Sequence, residues 1–243
     1  MLARLKPRFK NWMDSDRKVK KLGVSLHYYL FKHRLWEKVW ALDNKSMFTE
    51  IYKNNLWNNE ESRSGGGSTL KKTQKIRKGL QDLLKEECIG SLCDAGCGDF
   101  NWMKELDLAG VSYTGIDIVK AIVIANQARY EKDNLVFREM DITKDDLPSF
   151  DLILCREVLF HLPFTDVCRA LNNFKKSGSK YFLTTHFPNI QTNIDVKMGQ
   201  CRGINFERPP LNFSPPLRVI EEDVWDHALA LWKFDDIKPY MLG

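Results

Sequence analysis

Apolar positions recur at helical spacing from about Asp16 to Leu42, where Leu22, Val24, Leu26, Tyr29, Leu30, Leu35, Trp36 and Trp40 form one stripe with Lys and Arg between them. A second, short helix is predicted over Ser46–Lys53. The polar run Asn54–Gly67 ends in Ser64-Gly65-Gly66-Gly67 and reads as a loop. Ser68 is the expected N-cap of a helix reaching Glu87, with Leu70, Ile76, Leu80, Leu83 and Leu84 turned inward.

Beyond Glu87 the pattern changes to short apolar runs alternating with helical ones. Strands are predicted at Ile89–Asp94, Val111–Asp117, Leu135–Arg138, Phe150–Cys155 and Lys180–His186. Helices are predicted at Asn101–Leu108, Ala121–Glu131 and Asp166–Lys175. Such alternation implies βαβ units, right-handed crossovers and a parallel sheet with helices on both faces. The segment Phe187–Pro216 has no clear period and is too long for a plain connection, so it reads as a functional loop or lid. Leu217–Ile220 and Ala228–Phe234 complete the strand candidates.

The chain has 243 residues, 43% hydrophobic and 28% charged, enough for one large domain with a real core. No window is long and apolar enough to span a bilayer, and the first residues lack the apolar stretch of a secretory leader. The net charge of +5 is uneven. Residues 1–40 hold eleven Lys or Arg against Asp14, Asp16 and Glu37, so the rest of the chain is slightly acidic. A nearly neutral domain with a basic arm is expected, with residues 1–45 as the helical extension and 46–243 as the domain. Nucleic acid is an unlikely partner for such a charge distribution. The arm suits an anionic membrane surface, its own domain or a second subunit. The cysteines at 88, 93, 97, 155, 168 and 201 form no CxxC pair and no zinc pattern, and read as reduced thiols of a cytoplasmic protein. No metal is required by any spacing seen.

The most informative stretch is Leu92-Cys93-Asp94-Ala95-Gly96-Cys97-Gly98-Asp99-Phe100. A hydrophobic strand runs into an acid, then into two glycines two apart. In open α/β sheets ligands sit outside the carboxyl ends of strands at the switch point. Asp117 ends the next strand nineteen residues beyond Gly98 and is placed to accept from ribose hydroxyls. A dinucleotide site wants a third glycine where Asn101 stands, and Asp94 and Asp99 repel a pyrophosphate. Acids suit a ligand bearing an ammonium and a sulfonium.

The run Asp94–Phe100 resembles the first motif of class I S-adenosylmethionine methyltransferases, with Phe100 in place of its last glycine. Tyr113-Thr114-Gly115-Ile116-Asp117 resembles the ribose-binding motif, and Met140-Asp141-Ile142 the adenine-binding one. Asp151–Leu162 resembles the fourth-strand motif. The resemblance implies a doubly wound, mostly parallel seven-stranded Rossmann-like sheet and S-adenosylmethionine as cofactor. It implies cofactor contacts from Asp94, Gly96, Gly98, Asp117, Ile118, Asp141, Ile142 and Cys155. Phe48–Trp57, Ser64–Thr69 and Cys97–Met103 are further similar to a bacterial and viral subgroup found beside glycosyltransferases of surface polysaccharides. That likeness implies methylation of a sugar hydroxyl, and a peripheral membrane or glycosyltransferase association. It also lays Tyr52, Trp57, Arg63 and Ser64 over the cofactor, with Arg63 or glycine N–H groups meeting its carboxylate.

A sugar hydroxyl needs a base within hydrogen-bond reach. Of the five histidines, His27 and His33 lie on the basic helix. His161 follows the fourth strand and His186 ends the fifth, so both are candidates, His161 preferred. Arg156 and Glu157 are expected to orient substrate or base. In the lid, Arg202, Asn205, Glu207 and Arg208 suit hydroxyl pairing, and Phe206 and Phe213 suit stacking on a sugar ring. Three other functions remain compatible: a small-molecule or protein methyltransferase, a non-catalytic S-adenosylmethionine-binding module, and an RNA methyltransferase using the arm.

Overall fold

A computed structural model describes Trp36, Lys38, Val39, residues 42–222 and residues 226–238. Most of the predicted helix Asp16–Leu42, with His27 and His33, lies outside the described residues. The unit Asp43–Gly243 carries the whole sheet. Among the described residues no helix is long and apolar enough to cross a membrane.

The sheet comprises β1 (Ser91–Ala95), β2 (Ser112–Asp117), β3 (Leu135–Glu139), β4 (Leu152–Cys155), β5 (Tyr181–His186), β6 (Arg218–Glu221) and β7 (Ala228–Lys233). Their order is β3-β2-β1-β4-β5-β7-β6. The first five are parallel, and β7 runs antiparallel to both β5 and β6. The chain therefore winds outward from β1 and returns through β4, which places a switch point between their carboxyl ends. This is the doubly wound, mostly parallel seven-stranded architecture expected from the sequence.

Alternation along the strands builds two cores. Leu92, Tyr113, Leu152, Leu183 and Leu229 face one side, where Ile76, Leu80 and Leu83 of helix α2 (Gln74–Glu86) and Val123 of a later helix pack on them. Cys93, Ile116, Ile153, Phe182 and Trp232 face the other side. Helix α1 (Asn44–Lys53) starts earlier than the pattern suggests because Asp43 caps it, accepting from the Ser46 N–H at 3.1 Å. Helix α3 (Lys120–Tyr130) lies on the first face. Helix α4 (Phe164–Lys176) buries Val167, Ala170, Leu171 and Phe174 against the second.

Two local expectations are overturned. Ser68 is the last residue of a 3-10 turn, Gly66–Ser68, and α2 begins only after Thr73. Residues Asn101–Leu108 hold a single 3-10 turn, Met103–Glu105, not a helix. Phe100 sits at φ 58°, a left-handed conformation that cannot continue a helix. Its ring packs edge-on to Tyr113 and Phe137, with centroids 5.2 and 5.3 Å away. Asn101 then spends its amide on Glu61 at 2.9 Å and on the Ser68 carbonyl at 3.1 Å.

The segment Phe187–Pro216 is irregular, as expected, yet its aromatics are core residues. Phe206 is fully buried and lies 5.7 Å from the Trp232 ring, and Phe213 packs edge-on to the same indole. They present no ring to a sugar. Asn205 holds the carbonyls of Pro188 and Ile190, and Arg202 holds those of Leu159 and Phe160. These side chains knit the segment together and pin it to the turn after β4.

Candidate active site

The carboxyl ends of β1, β2 and β4 open into a cavity of about 1030 Å³, its mouth included. Its walls hold Asp94, Gly96 and Gly98 from the first turn, Asp117 and Ile118 from the second, and Asp141 and Ile142 after β3. Trp57 and Ser64 line it from the loop after α1, and Arg156, Glu157 and His161 from the β4 end. The three acids that the sequence places at separate strand tips thus converge on one space.

Each acid has a specific hold. Asp94 is buried and accepts the Tyr113 hydroxyl proton at 2.8 Å. Burial raises its pKa to about 7, with Tyr113 pulling the other way. Asp117 accepts from the Gly98 N–H at 3.0 Å and the Val119 N–H at 2.9 Å, so the acid of β2 ties down the turn after β1. Burial raises it to about 6 despite those bonds. Asp141 is partly buried, which raises its pKa. Bonds from the Thr143 hydroxyl and N–H, with Lys144 at 3.1 Å, outweigh that and leave it below its ordinary value.

Glycine is required at the first turn for two reasons. Gly96 and Gly98 adopt φ 88° and 56°. A Cβ on Gly98 would also meet the Ser64 hydroxyl at 2.1 Å. The nearby Asp99 does not crowd the ligand. It accepts from the hydroxyls of Ser62 and Ser64 and from the Arg63 N–H at 2.7 Å, clamping the loop 62–64 onto the turn.

Three expected site residues fall outside the cavity. Arg63 is exposed and turns its guanidinium to the carbonyls of Tyr52 and Lys53, completing the C-terminus of α1. Cys155 is fully buried among apolar groups beneath the cavity floor. Its residue is the last of β4, and alternation turns its side chain to the core. His186 is buried under the irregular segment, accepting from the Phe206 N–H at 3.3 Å, with Glu207 at 3.4 Å from its Nε2. All six residues of β5 are buried, which leaves its last one no path to the cavity.

His161 does reach the cavity. It stacks on Trp57 with centroids 5.9 Å apart and planes 28° from parallel. Its Nδ1 lies 3.3 Å from the Gln200 carbonyl, which can only accept, so that nitrogen carries the proton and Nε2 keeps its lone pair. Burial lowers its pKa to about 4, so the ring is neutral at physiological pH.

Glu157 sits at φ 56°, with its N–H donated to the Thr185 hydroxyl at 2.9 Å. Burial raises its pKa, with Arg156 opposing. Arg156 bonds Glu157 at 3.0 Å and the Gly67 carbonyl at 3.0 Å. It also grips Glu222, which together with His227 was not anticipated from sequence. Glu157, Glu222 and His227 bring possible ligand atoms within 4.8 Å of one another, but the Arg156 guanidinium already supplies their cation. Phe48 and Tyr52 of α1 and Trp102 complete the walls. Tyr52 is among the residues expected over the cofactor, and Phe48 lies one helical turn before it.

Residues 69–234 match a family described as a methyltransferase domain. A ubiquinone biosynthesis O-methyltransferase of Pseudomonas syringae pv. tomato is 31% identical over 145 residues, 57% of this chain and 62% of that protein. One from Coxiella burnetii is 31% identical over 113 residues, 44% of this chain and 47% of that protein. The chain thus spans about three-fifths or less of these relatives. Among solved structures, the magnesium protoporphyrin IX methyltransferase of Synechocystis PCC 6803 with bound S-adenosylmethionine superposes with a TM-score of 0.57 at 15% identity. It covers 79% of this chain and 97% of that one. The N-methyltransferase NodS of Bradyrhizobium japonicum WM9, with bound S-adenosylhomocysteine, gives 0.58 at 16% identity, covering 79% and 98%.

Proposed function

The chain belongs to the methyltransferase-domain family, with S-adenosylmethionine as its cofactor, and from that premise we propose that it methylates a hydroxyl oxygen of a sugar unit. The observation that carries the oxygen chemistry is that a neutral His161 and the acid Glu157 both line the β4 side of the cavity. The sugar rests on the likeness of Phe48–Trp57, Ser64–Thr69 and Cys97–Met103 to polysaccharide methyltransferases, and on the half-buried Trp57 indole, a flat apolar surface at the mouth.

The cofactor supplies an activated methyl group, so the protein's work is placement and proton removal. Asp117 holds the ribose hydroxyls, Asp141 and Ile142 the adenine edge, and Asp94 favours the positive charges. Trp57 and His161 orient the acceptor, with the His161 Nε2 lone pair accepting a hydrogen bond from a neighbouring hydroxyl of the sugar and leaving the reacting hydroxyl's proton to Glu157. His161, held near 4, is the weaker base. Glu157, raised above the ordinary carboxylate value, is the stronger one and takes the proton.

A second reading replaces the sugar with a phenol, favoured by the O-methyltransferase relatives. Labelled S-adenosylmethionine turned over against a panel of glycans, catechol and a protein extract decides. Methyl incorporation into glycan hydroxyls is expected. Incorporation into catechol alone supports the phenol, and incorporation into protein overturns both. Binding of S-adenosylmethionine without turnover on any acceptor leaves a binding module.

A further inference from the structure

Behind Glu157 lies a group of charges that proton removal by one carboxylate does not use. Glu222 follows β6 and His227 precedes β7, and both stand at the tip of β4 because β6 and β7 pair antiparallel at this edge. Glu222, its side chain fully buried, takes Arg156 in two bonds, Nη2 to Oε2 at 2.7 Å and Nε to Oε1 at 3.2 Å. Burial opposes its charge, but Arg156 and His227 outweigh that and hold it below the ordinary value. His227 Nε2 lies 3.3 Å from Glu222 Oε2 and 3.8 Å from Glu157 Oε1. The Phe187 ring covers His227 at 4.9 Å, and Trp102 covers the guanidinium at 5.5 Å.

Two carboxylates thus share one guanidinium, unequally. A bidentate guanidinium makes a carboxylate a poor proton acceptor, because both oxygens are spent. Glu222 takes the bidentate grip. Glu157 meets the guanidinium through Oε1 alone, and its Oε2 makes no hydrogen bond among the described residues. The charged groups around Glu157 are Arg156 beside it, Glu222 beyond β6 and His227 before β7. Asp94 of β1 also acts on the Arg156 charge. Thr185 and Gly67, the contacts from β5 and the loop, are uncharged.

We propose that Glu222 and His227 are positioning residues for Glu157: Glu222 draws Arg156 onto itself, and His227 closes the far side, so that one Glu157 oxygen stays free for the acceptor's proton. The chemistry rests on the oxygen-methylation reading. As the acceptor oxygen forms its bond to the methyl carbon, the carbon–sulfur pair stays on sulfur and the hydroxyl proton passes to Glu157.

The coupling is read without any acceptor. Protein labelled with carboxyl-13C glutamate and saturated with S-adenosylhomocysteine is titrated by NMR, the Glu157 signal being identified by its loss in Glu157→Gln. Glu222→Gln should lower the Glu157 titration midpoint by about half a unit or more, since a like charge goes and Arg156 turns to Glu157. His227→Gln should raise it by a similar amount. A purely structural role would move neither, or move both the same way, and either result overturns the proposal. If Glu222→Gln fails to fold, the direction in His227→Gln decides alone. Absence of turnover on every acceptor would count against oxygen methylation, whereas the titration counts for or against the positioning.

Discussion

The Glu157 carboxylate lies directly on Gly67: a Cβ added to that glycine would come within 2.3 Å of Oε2 and 2.4 Å of Oε1. Gly67 has no left-handed backbone, so Gly67→Ala tests the contact and not the chain's conformation. The methyl group must push Glu157 from its place. Turnover is expected to fall on the order of 100-fold, the usual result of displacing a reacting group by about an ångström. Calorimetry with S-adenosylhomocysteine should show cofactor affinity changed far less.

On the proposed reading Asp117 serves both the cofactor and the turn that receives it, and its hold on that turn is direct. Asp117→Ala removes the partner of the Gly98 and Val119 N–H groups together with the ribose contact. Loss of a charged acceptor costs about 1.5–3 kcal/mol, so S-adenosylhomocysteine should bind roughly 10- to 100-fold more weakly. An unchanged dissociation constant would remove Asp117 from the site.

The raised acids make cofactor discrimination depend on pH. Asp94 and Asp117, near 7 and 6, gain charge between pH 5 and 8. S-adenosylmethionine carries one more positive charge than its product. Its affinity relative to S-adenosylhomocysteine should rise across that range by roughly fivefold, an interaction of ~1 kcal/mol. Asp94→Asn should flatten the trend. Stability moves the other way. A folded-state value raised above the unfolded one stabilises fully below about 4 and is lost as pH climbs through the folded value. The Asp94 contribution to the melting temperature of the empty protein, read as wild type minus Asp94→Asn, should therefore decline from pH 4 to 7.

Phe206 belongs to the core and not to an acceptor platform. Phe206→Ala should cost about 3–5 kcal/mol in denaturant unfolding, the range for a buried aromatic. An exposed sugar-stacking ring would cost little stability and would raise KM instead.

Arg63→Ala gives the complementary outcome. Its guanidinium is exposed and bonded to the end of α1. Affinity for S-adenosylmethionine should change less than twofold, while the melting temperature falls slightly. A tenfold loss of affinity would return Arg63 to the cofactor's carboxylate.

How much of this was legible in the sequence follows from how local each signal is. Strands that end in Asp94 and Asp117, with glycines between, carry their meaning within a few residues, and the acids do converge. The helix expected after Phe100 failed because a left-handed residue and the distant partners of Asn101, Glu61 and Ser68, override the local periodicity. His186 looked available because its strand ends at the right edge, yet burial of every β5 residue was set by neighbours on both sides. Glu222 and His227 carry no motif. Glu222 meets Arg156 across 66 positions and His227 meets Glu157 across 70 only because β7 reverses direction between β5 and β6.

That reversal has a consequence for synthesis. β7 is made after both of the strands between which it lies. Until it inserts, β5 and β6 have no hydrogen-bonding neighbour on their inner edges, and the rim holding Glu222 and His227 stays unassembled. During synthesis the turns after β1 and β2 are therefore complete before the Glu222–His227 rim, which on the proposed reading supports the proton acceptor and forms only once β7 pairs with both neighbours.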